Sequence, residues 1–104
     1  MKRIYLCGPM TGIKDFNYPA FNAEAARLRA LGYEVVNPAE VVTDKSTPWV
    51  MAMRADIAEL MTCDTLAMLT GCHNSKGARI EHDLAYRVGI EIKRACEITE
   101  AASN

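Results

Sequence analysis

With 104 residues, half of them apolar and about a quarter charged, the chain has room for one domain built on one core. A formal net charge of −1 supplies no broad basic field, which argues against a nucleic-acid partner but leaves room for a small anion held by local groups. The opening apolar run breaks at Gly8-Pro9, too early for a secretory signal, and no stretch approaches the roughly 18 apolar residues of a membrane span, so a cytoplasmic protein without a membrane partner is expected.

Residues 3–7, RIYLC, read as a short buried strand stopped by Gly8-Pro9. The polar stretch from Thr11 to Tyr18 reads as a loop. Pro19 opens a helix in which Phe21, Ala25, Leu28 and Leu31 recur at helical spacing, and Gly32 ends it. Tyr33 to Val36 is the second strand, stopped by Asn37-Pro38, with a loop through Asp44, Lys45 and Ser46. Thr47 is the expected N-cap and Pro48 the first residue of a second helix, which carries Met53, Ile57, Leu60 and Met61 on one face. Asp64 begins a third strand, TLAMLT, apolar enough to be covered on both sides. Gly71 to Gly77 is a loop of turn formers, a third helix runs from about Ala78 to Val88, and Ile90 to Ile98 holds a fourth strand. Residues 1–98 then form a single domain and 99–104 a frayed tail.

This alternation of strands and helices predicts an α/β fold, a Rossmann-like parallel sheet of about four strands with helices on both faces. Ligands of such sheets bind beyond the carboxyl ends of the strands, where strand order switches. The loops Gly8–Tyr18, Asn37–Ser46 and Gly71–Gly77 should therefore surround one cleft.

The stretch Asn74 to Glu81 leaves the third strand and enters a helix, a terminus whose free N–H groups and dipole favour anions. Ser75 adds a hydroxyl, Lys76 a charge, and Gly77 a close backbone approach. Glu81, near the start of that helix, is expected to be ionised by the dipole, as a carboxylate nucleophile or as a stabilising surface acid. Asp56 shares the inward face of its helix with Met53 and Leu60, so it must be paired, with Arg54 or a backbone group, or functional. Tyr5 is either core or a hydrogen-bond donor beside the cleft.

The four cysteines match no zinc spacing, and Cys7 and Cys96 sit in apolar segments where a reduced cysteine acts as a small hydrophobe. Met51, Met53, Met61 and Met68 read as core filler rather than as a cofactor pocket. His73 and His82 have no spaced partner. With no GxGxxG and no P-loop motif, no metal and no organic cofactor are expected.

Three pieces, YLCGPMTG, ADIAELMTCDTLAML and SKGARIEHDLAYRVG, together resemble the nucleoside 2-deoxyribosyltransferase-like superfamily, and within it the 2′-deoxynucleoside 5′-phosphate N-hydrolases and short phage-type members. The resemblance spans roughly Ile4 to Ile92 and implies a flavodoxin-like, three-layer sheet of order 2-1-3-4. It makes Glu81 of G-x-x-x-E the nucleophile, Tyr5 of Y-x-x-G the residue that orients it, and Asp56 the group near the sugar and the leaving base. Ser75, six residues before Glu81, stands where the transferases carry an aspartate and the monophosphate hydrolases a serine. A hydroxyl can donate to a phosphate that a carboxylate would repel. Gly8, Pro9, Met10, Thr11, Ser75 and Gly77 are then expected to hold the substrate's 5′ end. Arg79 replaces a second glycine of the hydrolases, GPMTG replaces a more serine- and arginine-rich loop, and the chain ends after the fourth strand, without the segment that in relatives enters a neighbouring subunit's site.

The expected activity is N-glycosidic cleavage of a (deoxy)nucleoside 5′-monophosphate. Deoxyribosyl transfer between bases and a non-catalytic nucleotide-binding domain stand as alternatives. A homodimer or higher homo-oligomer is expected.

Overall fold

The computed structural model describes residues 2–103. Its four strands, β1 (Arg3–Cys7), β2 (Glu34–Val36), β3 (Thr65–Met68) and β4 (Glu91–Arg94), form one parallel sheet in the order β2-β1-β3-β4. Between them run α1 (Tyr18–Ala30), a one-turn α2 (Pro38–Val41), α3 (Trp49–Leu60) and α4 (Lys76–Arg87). The three-layer α/β architecture and the strand order are those expected.

The alternation of β1 sorts the two faces. Ile4 and Leu6 face one layer and meet Phe21, Ala25 and Leu28 of α1. Tyr5 and Cys7 face the other, with Leu60 of α3 and Ala78 and Ala85 of α4. A one-residue slip of β1 would send Tyr5 to the wrong layer, so the dry packing on both sides fixes its direction. Leu28 is wholly buried in the α1 layer. Leu28→Ala should cost about 3 kcal/mol, read as a lower urea midpoint with an unchanged slope.

Several boundaries differ from the sequence expectation, each for a local reason. Pro48 is extended, with φ −55° and ψ 140°, and stands as the N-cap of α3 in place of Thr47. Asn37 does more than stop β2: its side chain accepts the Ala39 N–H at 3.1 Å and starts α2. Ser75 caps α4 by accepting the Ala78 N–H at 3.3 Å, so this helix begins two residues earlier than expected. β4 is shorter than Ile90–Ile98, because the Glu97 carboxylate accepts the Arg94 N–H and curls the chain into a 3-10 turn.

Residues 99–104 were expected to fray. Instead Tyr33 donates to the Glu100 carbonyl and the Ala102 N–H donates to the Leu31 carbonyl, which the end of α1 leaves without a helical partner. Met1 and Asn104 lie outside the described residues. Of the four methionines expected as core, Met53 is buried and Met68 half-buried, while Met51 and Met61 are exposed. Cys96 is exposed too, because β4 has ended before it.

Candidate active site

The loops that follow β1, β2 and β3 surround a cavity of about 290 Å³. It opens beyond the strand ends at the switch in order between β1 and β3, where the fold leaves a crevice. Tyr5, Asp56 and Glu81, from β1, α3 and α4, all reach its wall, with Gly8, Met10, Thr11, Ser75 and Gly77. Pro9 is not on that wall: it is buried, close to Gly71, and its carbonyl accepts from the Asn17 side chain at 3.0 Å.

Glu81 is only 5% exposed, and the Tyr5 hydroxyl donates to its Oε2 at 2.9 Å. Tyr5 has no exposed surface, so the two readings of this residue merge: it is core, and it also reaches the cavity. Asp56 is 8% exposed, and its Oδ1 is buried with no hydrogen-bond partner. Arg54, the partner that would have made Asp56 structural, is exposed. A buried carboxyl oxygen left without a donor is costly unless the group is protonated or meets a ligand.

Burial governs the protonation of both acids. Desolvation, with the nearby Asp56 adding to it, pushes Glu81 up to about 8 against the Tyr5 and Cys7 hydrogen bonds that pull it down. Desolvation alone pushes Asp56 up to about 7. The expectation that the helix dipole would ionise Glu81 is overturned. Glu81 is the sixth residue of α4, beyond the turn where the dipole acts, and a dipole contribution of about 0.3–1 kcal/mol is small beside the desolvation of a buried carboxylate. Tyr5 is driven well above its ordinary value, chiefly by burial and then by the negative charge of Glu81, so it remains a donor throughout. Tyr5→Phe should therefore raise the titration of Glu81 by one to two pH units, about the worth of a hydrogen bond to a charged group, as followed by carboxyl-carbon NMR.

The opposite part of the wall suits an anion. At the start of α4 the Lys76 and Gly77 N–H groups precede the first helical acceptor, and the Ser75 hydroxyl, which accepts from Ala78, keeps its proton free to donate. A Cβ at Gly77 would lie 3.0 Å from Met53 Sδ, so a larger residue there would have to push that side chain aside by a few tenths of an ångström. Lys45 also lines the cavity, its Nζ 5.1 Å above the Tyr18 ring and 5.8 Å above the Phe16 ring. Lys76 Nζ sits 4.7 Å above the Trp49 ring. Both ammonium groups are held by aromatic faces, and neither makes an ion pair among the described residues.

Lys45, Phe16, Tyr18 and Trp49 were not singled out from the sequence. The available signal was their place in or beside the two loops expected to rim the cleft. Asp15, Phe16 and Asn17 take φ of 54°, 52° and 60°, three consecutive non-glycine residues in the left-handed region, a strain of order 1 kcal/mol each that concentrates at functional sites. Among the described residues no group of three His, Cys, Asp or Glu side chains is arranged to hold a metal ion, and no helix is long and apolar enough to cross a membrane.

The parallel sheet of order 2-1-3-4 is also the fold of solved 2-deoxyribosyltransferases. The 2-deoxyribosyltransferase of Bacillus psychrosaccharolyticus superposes with a TM-score of 0.66 at 22% identity, over 86% of this chain and 69% of that one. The enzyme of the same name from Leishmania mexicana gives 0.69 at 21% identity, over 88% and 62%. A conserved protein of Enterococcus faecalis V583 gives 0.67 at 28% identity, over 88% and 61%. This chain thus spans less than two-thirds of the length of the last two. No curated protein matches the sequence. Residues 2–94 match the family described as Domain of unknown function (DUF4406), and the chain belongs to that family.

Proposed function

We propose that this protein cleaves the N-glycosidic bond of a (deoxy)nucleoside 5′-monophosphate, with Glu81 as nucleophile. The observation that carries the proposal is the dry Glu81 carboxyl, held by Tyr5 at 2.9 Å in one cavity with the unpartnered Asp56. Ionised Glu81 attacks the anomeric carbon as the base departs, through an oxocarbenium-like transition state. Protonated Asp56 gives its proton to the leaving base, then takes one from the water that releases the sugar phosphate. Tyr5 fixes the direction of the nucleophile. The apolar wall of Phe16, Met53 and Trp49 suits a flat base, and Ser75, the start of α4 and Lys45 suit the phosphate.

The two deoxyribosyltransferases of this fold favour a second reading, in which an acceptor base takes the place of water. Chromatography of deoxynucleosides and their monophosphates, incubated with and without a free base, separates the two. Free sugar phosphate means hydrolysis, and a new nucleoside means transfer. Nucleotides that raise the melting temperature with no base released from any substrate would reject both and leave a binding domain.

Lys45 supplies a specific check on the phosphate. Lys45→Met should raise KM for monophosphates about 10- to 100-fold, the worth of a hydrogen bond to a charged group, and leave deoxynucleoside turnover unchanged. Equal loss on both substrate types would argue that the ligand of this cavity is not a 5′-phosphate.

A further inference from the structure

A second chemical feature lies behind the carboxyls and plays no part in the sugar chemistry. Cys7, the last residue of β1, and Cys72, in the 3-10 turn after β3, are both buried and reduced, with their sulfurs 3.5 Å apart. Cys7 also donates to the Ala78 carbonyl at 3.4 Å, in the first turn of the helix that carries Glu81. The other two thiols are placed differently: Cys63 donates to the Glu59 carbonyl at 3.4 Å, and Cys96 is exposed.

We propose that Cys7 and Cys72 are a modification site, a dithiol that a peroxide converts to a reversible disulfide. The two thiols are not equivalent. Cys72 is on the wall of a second groove, of about 530 Å³, together with His73, Asn74 and Arg94, whereas Cys7 is closed off completely. The contact between the two sulfurs lowers Cys72, while that same contact and burial raise Cys7, so Cys72 is the thiol that presents a thiolate to a small oxidant.

The Cys72 thiolate attacks a peroxide oxygen, the O–O bond breaks, and the hydroxide released takes up a proton to leave as water. The Cys7 sulfur then attacks the resulting sulfenic sulfur. The S–S bond forms, the S–O bond breaks, and the departing hydroxide leaves with the Cys7 proton as a second water. In sum, two thiols lose two protons and two electrons, and one hydrogen peroxide becomes two waters. The sulfurs close from 3.5 Å to about 2.05 Å as the bond forms. Closure removes the Cys7 S–H from the Ala78 carbonyl, which ties the redox state of this pair to the helix of the candidate nucleophile.

The test needs no substrate, so it stands or falls apart from the proposed activity. The full chain is exposed to hydrogen peroxide, denatured, alkylated and mapped by mass spectrometry. A peptide pair linking Cys7 to Cys72, lighter by two hydrogens and restored by dithiothreitol, is the expected result, and Cys72→Ser should leave Cys7 alkylatable. Finding both thiols still free after Cys96 has been oxidised overturns the proposal, as does a Cys72 sulfinic acid beside a free Cys7. Both are read on the unmodified sequence, so a variant that fails to fold does not obscure them.

Discussion

Glu81→Gln is expected to lower base release by on the order of 10³-fold or more and, in the same protein, to raise thermal stability at alkaline pH. The two effects have one cause. An amide cannot attack an anomeric carbon, but it fills the same space, and its oxygen still accepts from Tyr5. In the folded chain Glu81 titrates near 8, against an ordinary 4.5, so between those values the native state holds a proton that the unfolded state has lost. Native stability therefore falls as pH rises from about 4.5 to 8, at about 1.4 kcal/mol per pH unit while the difference lasts, in total on the order of 5 kcal/mol. Glutamine has no proton to lose and removes that slope. Asp56, which titrates near 7, still lowers the variant's melting temperature up to that pH, so the variant should fall less steeply than the parent from pH 5 to 7 and stay flat from pH 7 to 9, where the parent goes on declining to about 8. A parallel decline would mean that another group titrates, and unchanged base release would remove Glu81 from the chemistry.

Much of the site could be read from the chain, because short-range periodicity decides it. The spacing of Met53, Asp56 and Leu60 put an acid on the inward face of α3, and the structure buries all three. The apolar run of β1 placed Tyr5 beside the cleft, since strand alternation leaves it only two faces. What stayed hidden depends on contacts distant in sequence. The bond between Tyr5 and Glu81 joins residues 76 positions apart, and the dryness that lifts Glu81 to about 8 comes from packing that no local pattern reports. Position in a helix is local and favoured ionisation. Burial is tertiary, larger in magnitude, and opposes it. Lys45 and Trp49 were missed for the same reason, since a lysine in a polar loop acquires a role only when the loop closes over rings from elsewhere. The caps at Asn37 and Ser75 are local signals that the sequence reading passed over, taking Asn37 as a strand stop and Ser75 as a phosphate donor: each precedes the first N–H groups of a helix that its side chain can serve.

Asp56→Asn should lower kcat by on the order of 10²- to 10⁴-fold and change the shape of the pH profile as well as its height. Two carboxyls in one cavity lose their protons as a pair, the first near 7 and the second near 8, so the state with a single proton is confined to a narrow interval. On those values Asp56 gives up its proton first, so the resting single-proton state carries it mainly on Glu81. The reactive form, an ionised nucleophile beside a protonated acid, is reached when that proton passes within the pair to Asp56, as the Tyr5 donor on Glu81 and the donorless Asp56 Oδ1 favour. Both forms hold one proton, so kcat/KM should rise and fall across a bell centred between 7 and 8. Asparagine has nothing to titrate, so the alkaline limb disappears. The acid limb that remains then reports the ionisation of Glu81 alone. A deoxyriboside whose leaving group departs without protonation should lose far less activity than a natural base does. Equal losses on both substrates, with the alkaline limb intact, would reduce Asp56 to holding the sugar and leave the departing base to find its proton elsewhere.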